Sequence, residues 1–171
     1  MSQARRLVVD GYNVIRSTPP YRELALRDLE AARAALVGDV AAYAGGDWDA
    51  TVVFDGGGNP RSDGEPHSMW GVTVQFSPHG VDADAVIESL ARRWRESGDS
   101  VEVVTSDAQT QWAVMGGSVV RRSATEFAGE LRVAESEWRE HTPNGMTKVR
   151  IEERIDPDIR ATLDRWARGD G

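Results

Sequence analysis

Short apolar runs rich in β-branched residues alternate along this chain with stretches whose apolar residues recur every three or four positions. Leu7-Val8-Val9 runs into Asp10, Ala50 to Phe54 into Asp55, and Val101 to Thr105 into Ser106-Asp107. Gly71 to Phe76 alternates Val72, Val74 and Phe76 as a further strand would, and Ser118 to Val120 reads as a last short one. Helical spacing covers Tyr21 to Ala44 (Leu26, Leu29, Ala32, Leu36, Val40, Tyr43), Ala83 to Trp94 (Val86, Ile87, Leu90, Trp94) and Ala124 to Glu140. Strand runs alternating with amphipathic helices are the mark of βαβ units, so the pattern predicts an α/β fold: a mainly parallel sheet with helices on both faces. Between the second and third strands, Asp55 to His67 is dense in Gly, Pro, Ser and Asp and reads as a long mobile loop. From Thr142 the pattern changes. A turn (TPNG) leads into a segment that reads as extended at Lys148 to Ile155 and a short helix at Pro157 to Ala167, capped by Asp156 with Pro157 at its first position. The expected division is a domain over residues 1–141 and an appendage over 142–171, packed on it or trailing from it.

Length and composition narrow the classes. A chain of 171 residues suits one domain. With no cysteine, thiolate metal sites and disulfides are excluded, and a metal must be held by oxygen or by the three histidines. No stretch has signal-peptide or membrane-span length and apolarity, so the expectation is a soluble cytoplasmic protein with no membrane partner. A net charge of -8 argues against a surface that attracts nucleic acid everywhere and leaves room only for a local basic patch. The cations are arginines except Lys148, several in pairs: Arg5-Arg6, Arg92-Arg93, Arg121-Arg122. Such pairs serve equally as phosphate ligands or as solvated helix faces.

The chemistry gathers at strand ends. In a parallel sheet these ends share one edge, where open α/β sheets bind ligands. An aspartate between strand and helix is often only a helix cap, which would account for Asp107 or Asp82 taken singly. Asp10, Asp55 and Asp107 together are harder to explain as caps, because crowded carboxylates raise one another's pKa and a divalent cation relieves the repulsion. Oxygen-only ligation suits magnesium or manganese, ions that serve phosphoryl chemistry. His67 and His79 would be ligands, acid/base groups or plain loop histidines; His141 suits a helix end. Phosphate-cradling glycine loops, a G-x-S-x-G elbow and an H-E-x-x-H helix are absent, and Tyr12 stands where a haloacid-dehalogenase-like phosphatase needs its second aspartate.

The heptapeptide Val9-Asp10-Gly11-Tyr12-Asn13-Val14-Ile15 resembles the NYN domains, a branch of the PIN-like nucleases, and in particular their YacP-like members. Val53-Phe54-Asp55-Gly56, Asp82-Ala83-Asp84-Ala85-Val86-Ile87-Glu88, Val104-Thr105-Ser106-Asp107 with Gln111-Trp112, and Arg121-Arg122-Ser123-Ala124-Thr125-Glu126-Phe127 continue the resemblance in order, and the tail from Asp156 to Gly169 shares it. The resemblance implies a three-layer α/β/α PIN-like fold and a magnesium- or manganese-dependent ribonuclease, in some relatives cleaving mRNA in association with the ribosome. It makes Asp10, Asn13, Asp84 and Asp107 the catalytic set, with Asp10, Asp84, Asp107 and Asp55 as metal ligands. Asp82, Glu88 and Ser106 are secondary candidates. Where many relatives have threonine before Ala-Asp this chain has Asp82, and where they have glutamate after that Asp it has Ala85. For RNA contact the candidates are Arg61 in the glycine-rich loop and Arg121 and Arg122, expected just after the last short strand. The competing reading is a catalytically weak RNA- or ribosome-binding module of the same fold; crowding anions where phosphate must sit favours catalysis. A flap-type nuclease acting on DNA would share the chemistry, but the sequence shows no DNA-reading helix.

Overall fold

The computed structural model describes residues 3–106, 119–141 (side chains to 136) and 157–170. The elements run β1 (Arg5–Asp10), α1 (Gly11–Ser17), α2 (Pro19–Arg27), α3 (Leu29–Ala44), β2 (Asp49–Phe54), β3 (Pro66–Met69), β4 (Val72–Phe76), α4 (Ala83–Glu96), β5 (Ser100–Val104), β6 (Val119–Arg122), α5 (Ala124–His141) and α6 (Pro157–Arg168). Six strands form one sheet in the order β3-β4-β2-β1-β5-β6, parallel throughout except for the β3–β4 hairpin. The expected α/β/α fold with a mainly parallel sheet is therefore what the chain adopts.

Period-two alternation sorts the strand residues onto two faces. Leu7, Val9, Val52, Phe54, Val74 and Phe76 turn toward α1, α2, α3, α5 and α6. Val8, Val53, Val101 and Val103 turn the other way, onto Ala83, Ile87, Leu90 and Trp94 of α4. Nearly all these side chains are fully buried, so β1, β2 and β5 read as unbroken apolar runs because both faces are covered.

Three expectations need correction. The helical pattern over Tyr21 to Ala44 is two helices, because Asp28 is extended (φ -158, ψ 98) and its carboxylate caps α3 by accepting from the Ala31 N–H at 3.1 Å. The stretch expected as a mobile loop contains the start of β3 and is pinned down elsewhere. Asn59 N–H donates to Gly56 O (2.9 Å), Ser62 N–H to Asn59 O (3.1 Å) and Ser62 Oγ to Ser77 O (2.7 Å). Its glycines permit this closeness: a Cβ on Gly56 would lie 2.4 Å from Ser77 O. Lastly, Arg121 and Arg122 lie within β6, not after it. The Lys148–Ile155 segment, the Asp156 cap, Gln111 and Trp112 lie outside the described residues.

Candidate active site

β1 pairs with β2 and β5 in parallel, Asp10 opposite Val53 and Val9 opposite Val104, so Asp10, Asp55 and Ser106 emerge at one edge of the sheet. Asp10 is the buried member, 8 % exposed. Its carboxylate caps α1, with Oδ1 accepting from the Asn13 N–H at 3.3 Å. The cap role expected of a strand-end aspartate is therefore present at Asp10. Burial raises its pKa from 3.8 to about 6, against the Asn13 hydrogen bond and the charge of Arg16, and the charges of Asp84 and Asp55 push in the same upward direction. Two of the other predicted carboxylates are therefore close enough to be felt.

Asp84 stands in the first turn of α4, half-buried. Asp55 is exposed, with Oδ1 accepting from Gly57 N–H (2.8 Å) and lying 3.5 Å from Ser77 Oγ. Asn13 joins the two strand ends: its Oδ1 accepts the Ser106 N–H at 2.8 Å, holding the chain just before Asp107. Asp107 itself lies outside the described residues. Asp82 caps α4 through Ala85 N–H at 2.8 Å, and Glu88 pairs with Arg92 at 3.0 Å, so both have local structural partners. Among the described residues no three acidic or histidine side chains form a ready-made metal cage.

The predicted basic and histidine groups are mostly engaged elsewhere. Arg61 extends toward Asp170 (3.7 Å), and Arg122 binds Glu102 (2.7 Å), Glu130 and the Tyr43 hydroxyl (3.0 Å). Arg121 is exposed. His67 belongs to β3 and stacks on Trp166 of α6, ring centroids 4.4 Å apart and 8° from parallel.

Two arginines escaped the sequence reading. Arg33, 7 % exposed in α3, donates through Nε to the Tyr12 hydroxyl at 3.0 Å, pairs with Glu30, and lies 5.3 Å from the Phe76 ring centre. It anchors Tyr12, which follows Asp10 by two residues. Its sequence signal was a glutamate three residues earlier, indistinguishable from an ordinary surface pair. Arg16, exposed on α1, folds back so that Nε donates to Tyr12 O at 3.2 Å.

A doubly covered parallel sheet with carboxylates at its strand ends is the architecture of the NYN domains, nuclease-type domains with a PIN-like fold. The chain belongs to this group: the model of the YacP-like NYN domain family matches residues 7–168. It is 28% identical over 171 residues to a Bacillus subtilis (strain 168) protein described as uncharacterized protein YacP, covering 96% of this chain and 97% of that one. Two crystal structures of Rae1 (YacP) from Bacillus subtilis are similar at 30% identity. A mutant form covers 93% of this chain and 98% of its own with a TM-score of 0.64, and a second structure covers 82% and 79% with a TM-score of 0.66.

Proposed function

We propose that the protein is a magnesium- or manganese-dependent endoribonuclease acting on single-stranded RNA, with Asp10, Asp84, Asp55 and Asp107 as the metal-holding set. The observation that carries this reading is Asp10, a buried carboxylate whose pKa is lifted to about 6 and which feels Asp55 and Asp84 at the same sheet edge. Fold stability alone would be better served by a neutral residue there. The donors fit the group: all are hard oxygens, and magnesium keeps several waters, so one or two carboxylates suffice where three do not converge. Bound there, such an ion supplies an activated water and stabilises charge on the phosphate and leaving oxygens.

The chain's own residues do the positioning. The α1 cap fixes the Asp10 carboxylate, the first turn of α4 brings Asp84 to the same edge, and the Asn13–Ser106 bond ties α1 to the end of β5. Among the described residues no helix is long and apolar enough to cross a membrane. The test compares the parent protein with Asp10→Asn and Asp84→Asn on a labelled single-stranded RNA, with manganese and with chelator. Cleavage should fall by roughly a hundredfold or more in either variant, with folding retained. A parent that cleaves equally well in excess chelator would sink the metal mechanism.

A further inference from the structure

We propose that Arg16 is a substrate-binding residue of this site, its guanidinium gripping an RNA phosphate beside Asp10; the inference rests on the ribonuclease reading above. An all-carboxylate site repels the phosphodiester it must receive, and a cation at its border offsets that repulsion. Arginine is suited to the task because its planar fork meets two phosphate oxygens at once.

The geometry singles out Arg16. It sits on the helix that starts immediately after Asp10, and six residues of helix would carry its Cα about 9 Å away along the axis. Helical side chains lean toward the N-terminus, and the 3.2 Å bond from Nε to Tyr12 O bends this one further back toward the end where Asp10 lies. That bond uses Nε and leaves the two terminal amino groups with no hydrogen bond or ion pair among the described residues. The charge of Arg16 does reach the Asp10 carboxylate. Arg22 braces the same turn, Nη1 donating to Arg16 O at 3.5 Å.

Several other arginines are committed. Arg33 is buried against Tyr12 and Glu30, Arg61 faces Asp170, Arg92 pairs with Glu88, and Arg122 pairs with Glu102 and Glu130. Arg16 combines an open fork with a place at the acidic edge. Exposure also makes it replaceable without harm to the fold.

The experiment measures binding of a short fluorescent single-stranded RNA in chelator over a range of salt, then initial cleavage rates with manganese. It uses the full-length parent, Arg16→Ala, Arg16→Lys and, as a control for loss of one positive charge elsewhere, Arg165→Ala on α6. Arg16→Ala should bind roughly tenfold more weakly. Its slope of log affinity against log salt should shrink by about 0.7, the value of one single-strand phosphate contact. Arg16→Lys should keep the slope and lose part of the affinity, and Arg165→Ala should match the parent. In manganese, KM should rise in Arg16→Ala. An Arg16→Ala slope and KM equal to those of Arg165→Ala overturn the proposal while leaving the ribonuclease reading intact. A parent that binds RNA without chelator-sensitive cleavage overturns that reading instead, and the slopes still decide Arg16. A parent that binds no single-stranded RNA overturns both.

Discussion

Asp10 occupies a position that its own fold penalises. A carboxyl with pKa 3.8 when unfolded and about 6 when folded binds its proton more tightly in the native state, so stability falls as pH rises through that window. Above pH 6 the ionised carboxylate costs about 3 kcal/mol, by the energy of a two-unit shift. Asp10→Asn keeps an oxygen to cap the Asn13 N–H and never ionises. In chelator it should therefore melt higher than the parent at pH 7.5, with the gap closing near pH 4; a gap independent of pH would show that the carboxylate is not strained. Adding manganese should raise the parent's melting temperature and leave Asp10→Asn nearly unmoved. Much of this was legible at residue scale: Asp10 ends an apolar run, and strand ends in a parallel sheet converge. Its burial was not, because that depends on α4, from a distant part of the chain, packing against β1. Arg33 and Arg16 escaped for a related reason, since an arginine three or four residues from a polar partner looks the same in sequence whether it is buried, bent back or solvated.

At the scale of elements, α1 shows how one residue sets the entry into the site. Gly11 starts the helix directly against Phe54, where a Cβ would fall 2.4 Å from the ring. Phe54 has no room to yield, stacked on Phe76 at 5.3 Å and tilted against Tyr12 at 5.1 Å. Gly11→Ala should cost about 1–3 kcal/mol through overpacking. Phe54→Leu should also destabilise, but the double variant should lose less than the two costs added, because the smaller side chain removes the clash. Denaturant unfolding of the four proteins measures the coupling, and strict additivity would refute the contact. This helix was not expected from the sequence: at seven residues it is too short to show periodicity. The break between α2 and α3 did have a signal in Asp28 with Glu30 two residues on, but apolar spacing ran straight across it. Leu26 and Leu29, which carry that spacing, are 84% and 40% exposed and contribute little to the core.

At the scale of the molecule, α6 joins the core to the loop that carries Asp55. Leu163 is fully buried in the larger core cluster, Trp166 stacks on His67, and Asn59 Nδ2 donates to Ala167 O at 2.7 Å. Alternating strand and helix patterns announced the parallel sheet, but long-range docking of this kind leaves no periodic trace, so a loop judged mobile from its composition is held by residues more than a hundred positions away. Two substitutions separate the roles of α6. Leu163→Ala removes a core side chain and should lower global stability by about 2–5 kcal/mol. Gly169→Ala acts locally: the position has φ +77, and a Cβ would lie 1.9 Å from Arg61 O. A left-handed alanine costs about 1–2 kcal/mol, and the clash is relieved most cheaply if the helix end and the loop part company. Hydrogen exchange at the Asn59 and Ser62 amides, both bonded within the loop, should therefore accelerate in Gly169→Ala far more than exchange in β1 and β5, whereas Leu163→Ala should accelerate all of them together. If Gly169→Ala leaves those two amides as protected as in the parent, α6 does not hold the loop, and the hairpin contacts through Ser62 and Ser77 suffice by themselves.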